Sequence, residues 1–409
     1  MNYQAALAYL QPRTTTIKFG LERTERLLEA VGQPHLIVPT VHIGGTNGKG
    51  SVTTLVASAL RAAGWRVGVY TSPHLVSFRE RVVVDGLPIS EAAVAMWTEK
   101  LQPLIESSGA TFFEATTAIA FADLAARGAE IAVVEVGLGG RLDSTNVVRP
   151  LVSGVTKIAM DHQKYLGDTL ERIAREKAWI AKPGAPFVIG EPHPDIVRII
   201  KEEAKRAVRA VDAQGLADLR ILGPTYEWTG RLGLLGAHQR RNAGVAHGIL
   251  MALPSPYRPP FAAIEEGFSS AFIPGRLDWR GKWLFDVAHN PDGMRSLTRA
   301  LAELEPRRPI HALVSILGDK DWPEMLVELD RAIDLGVLTV APTADSRKWD
   351  LAWLKRWLKN PHRPPAWASW TLIPDFREAL ALAERGAGTV LVTGSFHTVG
   401  DVMAELGLD

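Results

Sequence analysis

The segment Val41-His-Ile-Gly-Gly-Thr-Asn-Gly-Lys-Gly-Ser51 decides the fold, because it runs from an apolar stretch through a glycine-rich turn into a helical pattern near Ser51. Glycines let several backbone N–H groups point into one concavity, and the following helix N-terminus adds a partial positive charge. A phosphate fits such a turn, with Lys49 reaching terminal oxygens and Ser51 offering a hydroxyl to Mg²⁺. The candidate nucleotide-binding residues are therefore Gly45, Thr46, Asn47, Gly48, Lys49, Gly50 and Ser51.

The spacing of this turn departs from the common G-x-x-x-x-G-K-[ST] pattern, since Gly50 stands between the lysine and the hydroxyl residue. The alternative interpretation is a strand-to-helix turn that binds no ligand. The close grouping of Thr, Asn, Gly, Lys and Ser favours phosphate binding.

Short β-branched runs alternate with longer helical patterns on both sides of this turn, between residues 37 and 239. Such alternation predicts βαβ units and a mostly parallel sheet covered by helices. The predicted strands are Val41–Ile43, Val67–Tyr70, Ile131–Val136, Leu151–Thr156 and Pro186–Ile189, and the predicted helices include Ser90–Ile105, Ala115–Arg127 and Leu170–Ala181. Glycine, proline and short polar runs over Arg220–Leu235 predict a small antiparallel hairpin.

A second alternation begins near Trp283 and predicts a second sheet from strands at Trp283–Val287, His311–Ile316, Val337–Val340 and Val390–Thr393. Proline and glycine in Ile273-Pro-Gly-Arg276 follow a predicted helix at Phe261–Phe268 and mark the domain boundary. We expect a first domain at residues 1–273 and a second at residues 274–409. Asn360–Pro365 is a predicted proline-rich loop.

Composition excludes several classes of function. The chain has 409 residues, 46% of them hydrophobic and 22% charged, which is ordinary globular usage for two domains. Lys and Arg number 46 against 45 Asp and Glu, so no overall basic charge indicates nucleic acid or an anionic membrane as a partner. The sequence has no cysteine, which excludes disulfides, thiolate metal sites and a cysteine nucleophile. With no signal-peptide pattern and no long apolar run, we expect a cytoplasmic protein.

The turn His42–Ser51 resembles the nucleotide loop of the folylpolyglutamate synthase and dihydrofolate synthase family, within the Mur ligase superfamily. The resemblance extends in order from Phe19-Gly-Leu-Glu-Arg23 to Val392-Thr-Gly-Ser395. In the first half its motifs are Thr71-Ser-Pro-His-Leu75, Arg79-Glu-Arg81, Glu135-Val-Gly-Leu-Gly-Gly-Arg-Leu-Asp143, Thr145-Asn146, Asp161-His162, Leu166-Gly-Asp-Thr169 and Glu176-Lys-Ala178. Further on they are Gly236-Ala-His-Gln239, Asn242-Ala243, Pro274-Gly-Arg276, Asp286, Ala288-His-Asn-Pro291 and Asp319-Lys-Asp321.

This resemblance implies an α/β fold, with a P-loop-type, mostly parallel sheet domain flanked by helices and a smaller Rossmann-like C-terminal domain. It implies an ATP-dependent amide ligase that adds L-glutamate to dihydropteroate, to the glutamate tail of reduced folates, or to both, through an acyl phosphate. It also implies two Mg²⁺ ions. Ser51 serves the metal at the β- and γ-phosphates, whereas Ser72, Glu135 and His162 bind a second metal, joined by Lys177 if that lysine is carbamylated.

The resemblance also implies roles for the remaining site residues. Asn242, Arg276 and Asp286 resemble nucleotide contacts, although Asn242 equally fits an ordinary polar helix residue. Lys49, Lys177, His162 and His289 are the candidate catalytic residues. For glutamate the pattern indicates Arg81, His289 and Ser395, and for the pterin substrate it indicates Ser72, His74, Thr111, Phe113 and Glu114, flanked by Arg141 and Asp143.

Several interpretations stay open at this point. Arg81 is either a glutamate contact or a surface charge at a strand edge, and at least one of Phe112 and Phe113 is expected in the core. Three residues depart from the family pattern: Trp179 and Val287 replace the usual glycine, and His397 replaces a common tyrosine. The sequence does not decide between dihydropteroate and reduced folates.

Other functions compete with this one. The first alternative is a Mur-type ligase that joins an amino acid to a non-folate carboxylate such as a peptidoglycan precursor, but Ser72-Pro-His-Leu75 and Asp161-His162 resemble the folate branch. A simple P-loop kinase or NTPase leaves the second domain unexplained. A protein that binds nucleotide without turnover has no need of Lys49, Glu135, His162 and Lys177 together. The resemblance favours a monomer with small-molecule substrates.

Overall fold

A computed structural model describes residues 1–15, 18–212, 219–223, 226–359 and 368–408 of the chain. The predicted loop Asn360–Pro365 lies outside these residues, and so do Pro224 and Thr225 of the predicted hairpin. No helix in the described ranges is long and apolar enough to cross a membrane.

The first half of the chain alternates helices and strands around one large sheet. In chain order its elements are α1 (Tyr3–Leu10), α2 (Glu22–Glu29), β1 (Thr40–Gly44), α3 (Lys49–Ala62), β2 (Val67–Tyr70), β3 (Val82–Val84), β4 (Leu87–Pro88), α4 (Glu91–Ser108), α5 (Phe112–Ala126), β5 (Ile131–Glu135), β6 (Val152–Val155), α6 (Gln163–Leu166), α7 (Leu170–Ala178), β7 (Phe187–Ile189), α8 (Pro194–Val211), β8 (Ile221–Leu222), α9 (Ala237–Ala252) and α10 (Phe261–Ser270). Short 3₁₀ turns lie at Gln11–Thr15, Pro34–Leu36, Phe78–Arg81 and Ser144–Val147.

The first sheet has eight strands in the order β4-β3-β2-β5-β1-β6-β7-β8. Strands β2, β5, β1, β6, β7 and β8 pair in parallel, whereas β3 and β4 add an antiparallel edge. Strand β1 therefore lies between β5 and β6, and the turn that follows it opens at the carboxyl edge of the sheet. That edge is where open parallel sheets bind ligands. The prediction of a mostly parallel sheet is confirmed.

The prediction of an antiparallel hairpin over residues 220–235 is wrong. Ile221–Leu222 instead forms a parallel edge strand beside Phe187–Val188 of β7. Described residues 226–235 contain no strand. The reason is that a two-residue strand takes its direction from a partner distant in the sequence and not from the local turn residues.

The second half forms a six-stranded sheet in the order β13-β12-β11-β14-β10-β9, parallel except at β9. Its elements are β9 (Asp278–Arg280), β10 (Trp283–Phe285), α11 (Pro291–Leu304), β11 (Ile310–Val314), α12 (Trp322–Asp330), β12 (Leu335–Leu338), α13 (Leu351–Leu358), β13 (Ser369–Leu372), α14 (Phe376–Glu384), β14 (Thr389–Thr393) and α15 (Phe396–Glu405), with a 3₁₀ turn at Pro342–Arg347. The four strands expected here are present. Division of the chain at residues 273 and 274 stays a prediction.

Packing fixes the helix that carries the phosphate loop. Helix α3 buries Val52, Leu55 and Val56 in the core beneath the first sheet. Gly267 of α10 lets the two helix backbones approach, because a Cβ there would lie 2.4 Å from the backbone nitrogen of Ala59. Helix α3 is therefore packed closely between the first sheet and α10.

The two halves also meet at the segment after β2. Leu75 and Val76 pack against the core of the second half. Gly400 of α15 permits this contact, since a Cβ there would lie 2.0 Å from the carbonyl oxygen of Leu75. The Ser72–Val76 segment thus lies between the two sheets.

Candidate active site

The turn between β1 and α3 depends on glycine at two positions. Gly45 has φ +132°, and a Cβ there would lie 1.9 Å from Oγ1 of Thr156. Gly48 has φ +92°, and a Cβ there would lie 2.4 Å from Oδ1 of Asn242. The Asn242 amide also donates to Oε1 of Gln239 at 2.8 Å. Asn242 is therefore a buried residue against the loop rather than an ordinary polar residue on a helix surface.

Two backbone N–H groups of the loop are already bonded within the protein. Those of Thr46 and Asn47 donate to the carbonyl oxygen of Lys157 at 2.8 and 3.3 Å. The ammonium of Lys49 donates to the Thr46 carbonyl at 3.0 Å. The N–H groups of the first turn of α3, up to Ser51, have no intrahelical acceptor and are available to a phosphate. Thr46 and Asn47 are therefore not among the several residues whose N–H groups the loop was expected to offer.

Glu135 ends β5 beside this turn and is only 5% exposed. Burial raises the pKa of its carboxyl, against the opposing effect of the Lys49 and Arg276 charges and a hydrogen bond from the backbone of Ser72. A Cβ on Gly50 would lie 3.9 Å from Oε2 of Glu135. The carboxylate therefore faces the start of α3, as its position at a strand end predicts.

Among the predicted metal ligands, Glu135 supplies the one carboxylate and His162 the one imidazole. In the described ranges no three His, Asp or Glu side chains are grouped so that they alone hold a metal ion. This donor set fits Mg²⁺, which binds through one or two carboxylates, substrate phosphates and water rather than an all-protein cage. Ser51 and Glu135 supply hard oxygen donors of this kind at the phosphate loop.

Lys177 of α7 is a buried lysine, 4% exposed, and not the solvated residue that its helix alone would suggest. Its ammonium donates to the carbonyl oxygen of Gly45 at 2.8 Å. Burial, with the nearby Lys49 charge, lowers the pKa of Lys177 from 10.5 to about 7. A large share of its amine is therefore neutral and nucleophilic near neutral pH.

Asp161 joins the two halves of the chain. Its carboxylate pairs with the Lys320 ammonium, lies 3.5 Å from Nε2 of His289 and accepts from the Asn290 amide at 3.4 Å. Burial acts to raise the pKa of Asp161, but His289 and Lys320 outweigh it and hold the pKa well below its usual range. His162 lies 3.8 Å from the same carboxylate, and burial lowers its pKa to about 3. Neutral His162 is the form that binds metals.

Asp286 is buried and Arg276 is half-buried at the start of the second half. Burial lowers the pKa of Arg276 and raises that of Asp286. The Asp286 carboxylate accepts from the N–H groups of Leu277 at 3.1 Å and Ala288 at 3.0 Å, so it also holds the backbone around the site. The guanidinium of Arg276 lies 5.2 Å from the ring centroid of Phe396.

Arg81 is not a surface charge, because it is only 7% exposed. Its Nε donates to Nδ1 of His74 at 2.7 Å, and its guanidinium lies 5.2 Å from the ring centroid of Phe112. Burial lowers the pKa of His74 to about 3, with the Arg81 charge acting in the same direction. Phe112 belongs to the core, as expected for one of the two adjacent rings. Phe113 instead stacks on Tyr70 at 6.2 Å between ring centroids.

Glu114 and Thr111 form a capping box at the start of α5. Oε2 of Glu114 accepts from the N–H and hydroxyl of Thr111 at 2.7 and 2.9 Å, and Oε1 accepts from Nε of Arg23 at 2.8 Å. Glu114 is only 2% exposed. A pterin contact for these two residues stays a prediction, because the structure commits both carboxylate oxygens to scaffold contacts.

Asp143 and Ser395 likewise hold turns. The Asp143 carboxylate accepts from the N–H groups of Leu138 and Thr145 at 2.7 and 2.9 Å. Ser395 is the N-cap of α15, 1% exposed, and its hydroxyl donates to the carbonyl of Ser315 at 3.0 Å. Their substrate roles therefore also stay predictions.

The three residues that depart from the family pattern each make defined contacts. Trp179 carries the Arg141 guanidinium 4.0 Å from its ring centroid and donates to Glu203 at 3.3 Å. Val287 is buried, and its carbonyl lies 2.8 Å from Nδ1 of His289. Nδ1 of His397 bonds to the Thr343 hydroxyl at 2.9 Å.

Sequence reasoning assigned no role to several polar residues between the two halves. Lys320 belongs to the motif Asp319-Lys-Asp321, which was a usable signal. Asn290 stands in Ala288-His-Asn-Pro291 and directly follows a predicted catalytic residue. Lys157 and Asp292 carried no signal of their own, because they become partners only when the two sheets face each other.

Known protein families and relatives match this chain over most of its length. The model of the Mur ligase middle domain matches residues 43–249, and that of the Mur ligase, glutamate ligase domain matches residues 275–396. The dihydrofolate synthase/folylpolyglutamate synthase of Bacillus subtilis is 31% identical over 99% of both chains. A probable bifunctional folylpolyglutamate synthase/dihydropteroate synthase of Haloferax volcanii is 36% identical over 80% of this chain, which spans 42% of that longer protein.

Solved structures of similar proteins match the fold. E. coli FolC in complex with DHPP and ADP superposes with a TM-score of 0.84 at 31% identity, covering 100% of this chain and 98% of that one. A bifunctional folylpolyglutamate synthase/dihydrofolate synthase with Mn, AMPPNP and L-glutamate bound gives 0.82 at 30% identity, covering 100% and 98%.

Proposed function

The chain belongs to the dihydrofolate synthase and folylpolyglutamate synthase family of Mur ligases, and from this membership we propose how its two halves divide the reaction. It is an ATP-dependent ligase that adds L-glutamate to dihydropteroate, to the glutamate tail of reduced folates, or to both, through an acyl phosphate. The first half binds ATP and the pterin, and the second half brings groups for glutamate. We propose that the enzyme accepts both pterin substrates.

One observation carries this proposal: charged side chains from both halves interact at the phosphate loop. Arg276 from the second half interacts electrostatically with Glu135, which also feels Lys49. Transfer of a phosphoryl group to a carboxylate brings two anions together, and catalysis then depends on cations placed where charge accumulates. Lys49 and Arg276 are suited to that task.

The first turn of α3 would receive the β- and γ-phosphates, and Arg276 would reach them from the opposite side. Asp286 and Asn242 would lie on the nucleoside side. The substrate carboxylate then attacks the γ-phosphorus, and ADP leaves. The glutamate amine attacks the resulting acyl carbon and releases inorganic phosphate, with Arg81 and His289 holding the glutamate carboxylates. Closure of the two halves excludes water from the acyl phosphate.

ATP and a divalent metal are the cofactors that this proposal requires, in line with the solved relatives that hold ADP, or AMPPNP and Mn. When bound, the metal supplies Lewis-acid stabilisation of phosphoryl oxygens. Ser51 would hold one ion at the β- and γ-phosphates. Ser72, Glu135 and His162, joined by carbamylated Lys177, would hold a second beside the carboxylate to be activated.

Lys177 contributes to the second site as a carbamate. Carbamylation requires an unprotonated amine, and the lowered pKa of Lys177, about 7, provides one at neutral pH. The reaction joins the amine nitrogen to CO₂ and releases one proton, which converts a cation into an anionic oxygen ligand. Burial supports the assignment, because a buried cationic lysine without a carboxylate partner is costly.

The deciding experiment measures ADP release by purified protein with ATP, Mg²⁺ and L-glutamate. Parallel reactions contain 7,8-dihydropteroate, tetrahydrofolate or no pterin, and each is repeated without glutamate. Turnover with both pterins, lost in Lys49→Ala and kept in Lys205→Ala at an exposed position of α8, supports a bifunctional ligase. Turnover with tetrahydrofolate alone restricts the enzyme to chain extension. If neither pterin gives glutamate-dependent ADP release, the folate assignment is contradicted.

We further propose that the enzyme acts as a monomer in the cytoplasm. Nothing in the proposed site needs a residue from a second chain, since both halves come from the described parts of this one. Light scattering that gives the mass of one chain, with and without ATP, supports the monomer. A stable dimer contradicts it.

A further inference from the structure

Lys157 follows β6 and holds the phosphate loop through its backbone. Its carbonyl oxygen accepts the N–H groups of Thr46 at 2.8 Å and Asn47 at 3.3 Å. The residue before it, Thr156, donates its hydroxyl to the Asn47 carbonyl at 2.8 Å. The loop and the segment after β6 therefore move as one unit.

The side chain of the same lysine crosses to the second half. Its ammonium pairs with Oδ1 of Asp292, in the first turn of α11. Asn47 reaches the same carboxylate, because its amide donates to Oδ2 of Asp292 at 2.8 Å and to Oδ1 of Asn290 at 3.1 Å. The Asn290 amide donates back to Oδ1 of Asn47 at 3.0 Å. The Asp292 carboxylate of the second half is thus bound both by Asn47 of the phosphate loop and by Lys157, whose carbonyl oxygen supports that loop.

We propose that Lys157 and Asp292 form an interdomain clamp that positions the start of α11 against the phosphate loop. The clamp rests on the proposed function, because α11 begins directly after His289, and the reaction needs that residue near the loop. Lys157 acts through Asp292 and does not touch the reacting atoms. It is therefore a positioning residue, and its loss should affect closure of the two halves more than binding of nucleotide to the first half.

The solvent exposure of the Lys157–Asp292 pair sets the size of the effect that its loss should have on kcat. The side chains of Lys157 and Asp292 are 35% and 17% exposed, so water screens part of their attraction. Pairs of this kind contribute about 1 kcal/mol, which corresponds to about fivefold in a rate or an equilibrium constant. Asn47 still holds Asp292 when Lys157 is removed, so the clamp should loosen without being lost.

The test compares Lys157→Met, Asp292→Asn, the double variant and Lys157→Arg with wild type. Lys282→Met is the matched control, because it removes an ion pair with Glu384 that lies within the second half. Three quantities are measured: kcat with saturating substrates, the dissociation constant of ADP, and hydrogen exchange of peptides covering residues 44–50 and 288–296.

Either single variant should lower kcat about fivefold and leave the ADP dissociation constant within about twofold. The double variant should match the single variants, because coupled residues are not additive, and Lys157→Arg should restore kcat. Both peptides should exchange about fivefold faster in Lys157→Met and in Asp292→Asn, but not in Lys282→Met.

Three results would overturn the clamp. The first is additive losses in the double variant, and the second is faster exchange confined to the mutated half. The third is weaker ADP binding at unchanged kcat, which would make Lys157 a nucleotide contact. Hydrogen exchange needs no turnover, so a wild type that is inactive with both pterins would contradict the proposed function while the clamp is still tested.

Discussion

Replacement of Lys177 by methionine should stabilise the ligand-free protein and abolish its activity. The stabilisation follows from burial, since the drop of the Lys177 pKa from 10.5 to about 7 corresponds to about 5 kcal/mol at neutral pH. Methionine removes that cost but leaves the Gly45 carbonyl without its 2.8 Å donor, and an unpaired buried acceptor costs about 1–3 kcal/mol. A net gain of about 2–4 kcal/mol in the free energy of unfolding is therefore expected.

The pH dependence of this gain has a defined sign. Folded Lys177 titrates near pH 7 and the unfolded residue near 10.5. Between these values the unfolded chain binds one proton more, so wild-type stability rises with pH by up to about 1.4 kcal/mol per unit. The penalty is fully present below pH 7. Over the assayed range of pH 7 to 9, the advantage of Lys177→Met should therefore be largest at pH 7 and shrink steadily toward pH 9.

The assay is urea unfolding of both proteins at pH 7, 8 and 9, in CO₂-free buffer with a chelator so that the lysine stays a free amine. Ligase activity, measured separately with metal and bicarbonate, should fall at least about 100-fold in Lys177→Met, because the proposed metal ligand is lost. Lys182→Met is the matched control. Burial lowers the pKa of Lys182 to about 8, and its ammonium donates to the Asn146 carbonyl at 2.8 Å, away from the phosphate loop.

Lys182→Met should give a smaller gain in stability and keep its activity. A Lys177→Met protein less stable than wild type at pH 7 would refute the reasoning, because burial of the ammonium would then carry no net cost. A difference in stability that stays constant from pH 7 to 9 would refute it equally. In that case Lys177 titrates alike in the folded and unfolded chains.

Three further changes test other parts of the site. Asp161→Asn should lower kcat about 100-fold in a steady-state assay, because it removes the charge that joins the two halves. The control Asp168→Asn removes an exposed ion pair and should keep kcat within about twofold of wild type. Gly48→Ala should weaken ADP binding, measured by titration, at least about tenfold. Its control is Gly64→Ala, because Gly64 has a φ of +91° against +92° for Gly48 but open space around it. Gly64→Ala should lose only about 1 kcal/mol of stability in thermal unfolding. Glu114→Gln should destabilise the protein by about 1–3 kcal/mol in urea and leave the KM for pterin within about threefold, and a large KM change at unchanged stability would restore its substrate role.

Local patterns were sufficient to predict the central strands and the phosphate loop. The turn from β1 into α3 is encoded by residues within one short segment, and its glycines have no conformational substitute. Edge strands were missed, because β9 and β13 have three and four residues and owe their pairing to distant partners. The same dependence on a distant partner made the hairpin at residues 220–235 wrong.

The site was predictable only in part, for two physical reasons. Glu135 stands at a strand end, and strand ends converge on the ligand edge, so its position followed from topology. The pairs Lys157–Asp292 and Asp161–Lys320 span 135 and 159 residues, and no local pattern encodes them. Glu114 illustrates the second reason, because an acceptor needed for a helix cap has the same residue type as an acceptor needed for a ligand.

The electrostatics of the site give a reason why closure of the two halves should depend on bound substrates. Burial disfavours the charged form of Lys177 and Arg276, whose pKa values are lowered, and of Glu135 and Asp286, whose pKa values are raised. A group of buried charges without enough partners destabilises the closed site when it is empty. In the proposed reaction, phosphates would favour the cationic form of Arg276 and a metal ion would favour the anionic form of Glu135, so bound nucleotide and metal would reverse both penalties. We therefore expect closure around Lys49 to be coupled to the arrival of ATP, as a reaction that must keep water from an acyl phosphate requires.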